Sequence, residues 1–279
     1  MAEIRAAFAR LLRLTLVQPP FTPASLIHHS GCWPDFLTDF GARPYHINPA
    51  RMLGELLADA GQLRVFLFRN FLPGRYGGDF HRYPAQETWL AGWLRQRAKG
   101  QSGGMTCLDA ACGCGEGTYR LAELVATAGF SPGQIRITGA TIEPFELFAA
   151  AHGYFPHDTG RQESFRRQAL HCAPPDIAQR IDFIPLDLTK PEPRAGRYDL
   201  ILCNGLLGGP MLHEERQLER VCAELSGLLA DSGVVLAADR FHGGWKLMTP
   251  WRKLEGLLAA QGLATFPAGD GIGGMKPAP

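Results

Sequence analysis

The sequence predicts an α/β fold: a doubly wound, mostly parallel sheet preceded by a mainly helical N-terminal region. Three observations carry that expectation. From about residue 104, short apolar runs alternate with longer stretches of helical period, as in strands joined by crossover helices. Before residue 100, helical periodicity dominates. A glycine cluster, "ACGCGEGTY", stands at the end of the first apolar run, where sheets of this kind bind ligands. The natural division is 1–100 and 101–279, with "KGQSGG" as the hinge.

In the first part, "MAEIRAAFARLLRLTL" repeats Ile4, Phe8, Leu11, Leu12 and Leu14 at helical spacing, with Arg5 and Arg13 between them. The proline- and aromatic-rich "VQPPFTPASLIHHSGCWPDF" resists assignment. "NPARMLGELLADAG" reads as a helix capped by Asn48, with Pro49 in the first turn and Gly61 as the stop. "LRVFLFRNFL" fits a strand or a buried helix, and "PGRYGGDF" is a turn or loop. "PAQETWLAGWLRQRAKG" is a helix opened by its proline.

In the second part, "MTCLDAAC" is a strand and "EGTYRLAELVATAG" a helix ending at Gly129. "IRITGATI" is a strand and "PFELFAAAHG" a helix. "IDFIPLDL" and "RYDLILCNGLL" are strands, the latter running into a loop. "HEERQLERVCAELSGLLADSG" is a long helix with a glycine stop. "GVVLAADRF" is a strand and "GWKLMTPWRKLEGLLAAQG" a helix. The tail "ATFPAGDGIGGMKPAP" is a weak candidate for a last strand.

Composition bounds the function. Hydrophobic residues make up 46% and charged residues 20%, with a formal net charge of +1. No global field favours a nucleic acid or an anionic membrane, and no apolar run is long enough to span a bilayer. The seven cysteines, without a signal peptide, read as reduced thiols in a cytoplasmic protein.

The glycine loop admits a metal or a nucleotide. Cys107, Cys112 and Cys114 lack a C-x-x-C pair and a completing histidine cluster, which disfavours zinc or an iron–sulfur cluster. Gly113, Gly115 and Gly117 allow a sharp turn and close backbone approach. No lysine follows them, so the phosphate loop G-x-x-x-x-G-K-S/T is absent. Thr118 stands where a dinucleotide loop has its third glycine, and Glu116 would repel a pyrophosphate. A ligand with a cationic centre and an ammonium group fits better, and S-adenosylmethionine has both. Further contacts then fall in order along the chain. Asp109 would meet the ligand ammonium, and Glu143, ending the second strand, would bridge the ribose hydroxyls. Asp187, ending the third strand, would accept from the adenine amine, and Asn204, after the fourth, would face the sulfonium. Ala111 and Leu188 complete the cofactor set.

This unit resembles class I S-adenosylmethionine-dependent methyltransferases with a Rossmann-like sheet, and within them the chemotaxis receptor methyltransferases of the CheR type. The family's alanine–small–cysteine stretch followed by G-E-x-x-Y is matched by Ala110, Cys112, Gly115, Glu116 and Tyr119. Its acid after the second strand, with a helix ending in A-x-x-G-x-Y, is met by Glu143, Ala150, Gly153 and Tyr154. Its C-R-N-x-L after the fourth strand keeps Cys203 and Leu206. Its upstream F-F-R is represented by Phe80 and Arg82. The resemblance spans roughly 78 to 242. It implies methyl transfer from S-adenosylmethionine to a protein carboxylate or a small molecule. Arg82, suited to an acceptor carboxylate, and Tyr154 are the catalytic candidates, and His81, Tyr83 and His157 are further candidate acceptor-side groups.

The sequence departs from the family beside the acceptor. Asn204 and Gly205 replace its arginine–asparagine pair, and Gly208 to Pro210 replace a tyrosine that lies by the methyl acceptor. Its basic docking helix has no clear counterpart in residues 1–77. The alternative expectation is therefore a catalytically inactive, methyltransferase-like scaffold in a signalling pathway.

Overall fold

The computed structural model describes residues 2–15, 30, 32–39, 48–72, 79–100, 103–190, 198–209, 211–238 and 249–278. The stretch 16–29, residues 73–78 of the expected loop, residues 101–102 of the expected hinge, Pro210 and residues 239–248 lie outside the described residues. So does the side-chain packing of Leu12, Arg13 and Leu14.

The N-terminal region is helical. Helices α1 (Ala2–Thr15), α2 (Trp33–Asp39), α3 (Pro49–Ala58) and α4 (Ala60–Phe71) enclose their own apolar cluster of Phe8, Leu11, Trp33, Phe36, Leu37, Leu53 and Leu56. Trp33 stacks on Phe36 at 5.2 Å and donates its indole N–H to the Pro49 carbonyl at 2.7 Å. Asn48 caps α3 as expected, its Oδ1 accepting from the Ala50 and Arg51 amides. The expected stop at Gly61 is corrected: α3 ends at Ala58, and Gly61 lies inside α4. Asp59 both follows α3 and caps α4, accepting from the Gly61 and Gln62 amides. The carboxylate cap restarts the helix before the glycine can end it. "LRVFLFRNFL" is accordingly helix, not strand.

Helix α5 (Pro84–Gly100) leads into the sheet. The alternation then runs β1 (Met105–Asp109), α6 (Glu116–Thr127), β2 (Ile135–Thr141) and α7 (Pro144–His152). Next come α8 (Thr159–Cys172), the short α9 (Pro175–Ala178), β3 (Ile181–Pro185) and β4 (Tyr198–Leu202). Helix α10 (Glu215–Leu228), β5 (Leu229–Ala238), α11 (Trp251–Ala260), β6 (Ala264–Ala268) and β7 (Gly271–Met275) complete it. The strand order is β3-β2-β1-β4-β5-β7-β6, with β1 to β5 parallel and the final hairpin antiparallel. This is the expected doubly wound sheet. The weak tail supplies two strands rather than one. The glycine stop expected at Gly233 is also corrected: α10 ends at Leu228, and β5 begins at once through an irregular pairing around Ser232 at φ 59°.

Period-two alternation splits the core between the two faces. Leu108, Ile201 and Val235 point toward α10 and α11, meeting Leu218, Leu225, Leu254 and Leu258. Their neighbours Cys107, Leu200 and Val234 point the other way, toward Leu90, Leu94, Leu121 and Val125 of α5 and α6. β1 lies at the centre, and the chain reverses direction across the sheet between β1 and β4. Loops leaving those two strands diverge there and open a crevice at their carboxyl ends. No described helix is long and apolar enough to cross a membrane.

Leu225 is fully buried on α10, whereas Leu170 on α8 is 63% exposed. Urea unfolding should show Leu225→Ala losing about 2–5 kcal/mol and Leu170→Ala changing stability by less than ~0.5 kcal/mol.

Candidate cofactor crevice

β1 is hydrogen-bonded on both edges, so Asp109 at its end is held deep in the crevice and is 5% exposed. The loop after it is tied to both neighbours. The Ala110 amide donates to the Leu202 carbonyl at 2.7 Å and the Cys112 amide to the Ala140 carbonyl at 2.9 Å. Gly113 and Gly115 have φ of +52° and +94°, the left-handed region glycine favours. Their surroundings differ. A Cβ on Gly115 would stand 2.8 Å from the Ala150 Cβ, so this glycine lets α7 pack on the loop. A Cβ on Gly113 would meet only the Glu146 Oε1, at 3.8 Å. The loop is thus open at Gly113.

Thr118, where a dinucleotide loop would have glycine, donates its hydroxyl to Asp109 Oδ2 at 2.7 Å. Burial nevertheless pushes the Asp109 carboxyl up to about 6, against the Thr118 and Ala111 hydrogen bonds and the nearby Arg82 charge. Glu116 is also buried, and its Oε1 accepts from Arg161 Nη2 at 3.1 Å. Arg161 lies 4.2 Å over the Phe155 ring. The expected ligand-facing acid at 116 therefore has a protein cation as its first partner.

Glu143 does not end a strand: β2 stops at Thr141, and Glu143 is the N-cap of α7. Its amide donates to the Thr141 hydroxyl at 3.3 Å, and that hydroxyl donates to Glu146 Oε2 at 2.7 Å. Desolvation raises Glu146 to about 7, with Glu143 and Glu116 adding repulsion and Thr141 and Arg161 opposing it. Asp187 folds back on its own loop, accepting from the Thr189 amide and hydroxyl at 3.0 and 2.6 Å and pairing with Lys190 at 2.9 Å. Burial pushes its carboxyl up, but these partners outweigh burial and leave it below the usual range. Leu188 beside it is buried.

Across the crevice, Asn204 forms a reciprocal amide pair with the buried Gln86 of α5, at 2.7 and 3.2 Å. The turn between β6 and β7 holds α5 there, with Asp270 Oδ2 accepting from the Ala85 and Gln86 amides. Gly205 has φ +76°, and a Cβ on it would stand 3.2 Å from both terminal nitrogens of Arg82. The space opened at Gly205 is thus occupied by the Arg82 guanidinium, while Gly208 closes on Thr249. Arg82 also lies 5.3 Å over the Tyr83 ring. Tyr154 sits apart, edge-on to Phe68 of α4 at 5.1 Å and near Phe148 at 5.6 Å. In the strict spacing A-x-x-G-x-Y, the last position falls on the fully buried Phe155 rather than on Tyr154. His81 faces Glu87 at 3.3 Å, and burial beside Arg161 lowers the His157 imidazole.

The structure therefore gathers Asp109, the glycine loop, Glu116, Glu143 and Glu146 at one end of β1 and β2, and Arg82 and Asn204 opposite. Gln86, Thr141, Glu146 and Arg161 were not singled out from sequence, and Thr118 stood out only as a missing glycine, not as the hydrogen-bond donor to Asp109. Glu146 had a signal, standing three residues after Glu143 in "EPFE". Arg161 had none, since its partner is 45 residues away. Among the described residues, no group of three or more His, Cys, Asp or Glu is placed to hold a metal. The donor set suits S-adenosylmethionine instead. The carboxylates outnumber the arginines, and desolvation raises the carboxyls of Asp109 to about 6 and Glu146 to about 7. A sulfonium and an ammonium would relieve that imbalance.

Asp109 and Glu146 rise from ordinary values of 3.8 and 4.5 to about 6 and about 7. Their contribution to stability is full below the lower values and is lost as pH rises through the higher ones. The ligand-free protein should lose thermal stability between about pH 4 and 7 from these groups. At pH 8, Asp109→Asn combined with Glu146→Gln should melt above wild type, and the gap should shrink toward pH 4.5. Breaking the buried ion pair with Arg161→Met should cost about 3–5 kcal/mol in urea unfolding, because Glu116 would be left unpaired.

The chain is similar to several known proteins. A protein named "Probable biofilm formation methyltransferase WspC", from Pseudomonas putida, is 26% identical over 168 residues, covering 56% of this chain and 39% of its own length. The chain thus spans about two-fifths of that relative. Similar solved structures include the N-methyltransferase NodS from Bradyrhizobium japonicum WM9, at 15% identity over 69% of this chain and 97% of that one, TM-score 0.42. The citrinin polyketide synthase CMeT domain matches at 14% identity over 99% of this chain and 66% of that one, TM-score 0.45. The family model described as "CheR methyltransferase, SAM binding domain" matches residues 84–239, from the start of α5 through the end of β5, and the chain belongs to that family.

Proposed function

We propose that this chain is an S-adenosylmethionine-dependent methyltransferase of the CheR type, acting on a protein carboxylate or a small-molecule acceptor. The observation that carries the reading is the excess of carboxylates over cations around the Gly113 opening, with Asp109 and Glu116 buried and Glu143 and Glu146 half-buried, against Arg161 and Arg82. Asp109 takes the cofactor ammonium, and a carboxylate of the segment after β2 takes the ribose. The Ala111, Gly113 and Gly115 backbone lies against the methionine portion, and Glu116, neutralised by Arg161, braces the loop. Asp187 keeps lone pairs for an adenine amine, with Leu188 supplying an apolar wall.

S-adenosylmethionine supplies, when bound, a methyl carbon already activated by its sulfonium. The chain's residues have then to align an acceptor in line with it and exclude water. A carboxylate acceptor needs no general base. Arg82 lies against Gly205 and orients such a carboxylate in this reading, and Asn204 is fixed by Gln86 nearby. The N-terminal helices contribute to this side through Phe68 of α4, which packs on Phe145 and Tyr154 of the cofactor half.

A scaffold that has lost catalysis is the second reading. It is favoured by the full engagement of Asn204 with Gln86 where the family has arginine. Calorimetry and a methyl-label assay on cell extract separate the two. The enzyme reading expects both S-adenosylmethionine and S-adenosylhomocysteine to bind and label to appear on an acceptor. Binding without transfer supports the scaffold, and folded protein that binds neither compound contradicts both cofactor-based readings. Asp109→Asn should weaken S-adenosylmethionine by roughly tenfold or more, since it removes a charge-assisted hydrogen bond.

A further inference from the structure

We propose that Glu146, a helix residue held at the end of β2 by Thr141, is the acid that grips the cofactor ribose, with Thr141 as its positioning residue. The proposal rests on the cofactor reading above and deepens it.

A carboxylate that bridges two ribose hydroxyls must reach the strand end and face the glycine loop. The last residue of β2 is Thr141, a neutral side chain, and Glu143 follows as the N-cap of α7. Glu146 supplies the missing acid from one turn into the helix. Its Oε2 accepts the Thr141 hydroxyl at 2.7 Å, which fixes the carboxylate over the strand end. Its Oε1 looks toward Gly113, 3.8 Å from where a Cβ there would stand, across the opening of the loop. Helix packing enforces this direction. Residues 146 and 150 share one face of α7, and Ala150 lies against Gly115 while its carbonyl accepts the Tyr119 hydroxyl at 3.0 Å. The contact that brings α7 onto the loop therefore also delivers Glu146 to Gly113.

Both carboxylate oxygens keep lone pairs after the Thr141 bond, enough for two hydroxyl donors. The ionised form is the one that accepts both, so binding is coupled to loss of the Glu146 proton. The groups facing this carboxylate are Glu143 on its own helix, Cys112, Cys114 and Glu116 on the loop and the start of α6, and Arg161 on α8. Arg161 alone among these is cationic, and it is already paired with Glu116. With the Glu146 carboxyl raised to about 7, affinity should climb by roughly tenfold between pH 6 and pH 8.

The test is calorimetric titration with S-adenosylhomocysteine and its 2′-deoxy analogue, using wild type, Glu146→Gln and Glu143→Gln. Melting curves establish that each variant is folded, and glutamine preserves the shape and the Thr141 hydrogen bond. Wild type should favour the ribose form by roughly tenfold or more. Glu146→Gln should lose that preference and flatten the pH profile, while Glu143→Gln should keep both. Thr141→Val should retain the carboxylate but shift the pH midpoint upward. A discrimination that survives in Glu146→Gln, or disappears only in Glu143→Gln, overturns the proposal while leaving the cofactor reading intact. Wild type that binds neither compound overturns the cofactor reading and this proposal with it.

Discussion

The pairing of β1 with a parallel strand on each edge is the constraint on which the site depends. It fixes Asp109, the end of β2 and the start of the loop after β4 within one crevice, and the chain must reverse there. Everything nearer the ligand is hung on that frame by short contacts. The Cys112 amide ties the loop to β2, Gly115 admits α7, and Thr141 receives Glu146. Opposite, the antiparallel tail acts at a distance. Asp270 caps α5, α5 carries Gln86, and Gln86 locks Asn204.

The same frame explains why the crevice is poor in stabilising interactions for its own acids. Carboxylates driven out of water beside one another retain protons, and the folded ligand-free chain loses stability when they are forced to ionise. Such unfavourable charge is expected where binding rather than stability sets the side chains. Arg161 and Arg82 offset only part of it. Arg161 is committed to Glu116, and Arg82 lies against Gly205 on the far side of the crevice.

Much of this was legible in the sequence, for physical reasons. Strand and helix periods differ, so the alternation after residue 104 predicted the sheet, and the glycines predicted the loop. Asp109 was found because it precedes that loop. Local chemistry hid the rest. Gly61 reads as a stop because glycine often ends a helix, but the Asp59 carboxylate caps a new helix across it. Thr118 looked like a missing glycine and is instead the hydrogen-bond donor to Asp109. Glu143 looked like the end of a strand that in fact closes two residues earlier at Thr141. Gln86 with Asn204, and Glu116 with Arg161, join positions 118 and 45 residues apart. No local pattern encodes such pairs, which exist only once the crossovers have brought their helices together.

The central claim is that a cation-poor, carboxylate-rich crevice takes a cationic cofactor. Proton exchange on binding tests it most directly. Titrating S-adenosylmethionine into the protein at pH 6.5, in buffers of different ionisation enthalpy, reports the protons released or absorbed per mole bound. A cation arriving beside Asp109 and Glu146 lowers both carboxyls, so the account predicts net proton release on binding. Proton uptake, or the absence of binding by folded protein, would contradict it.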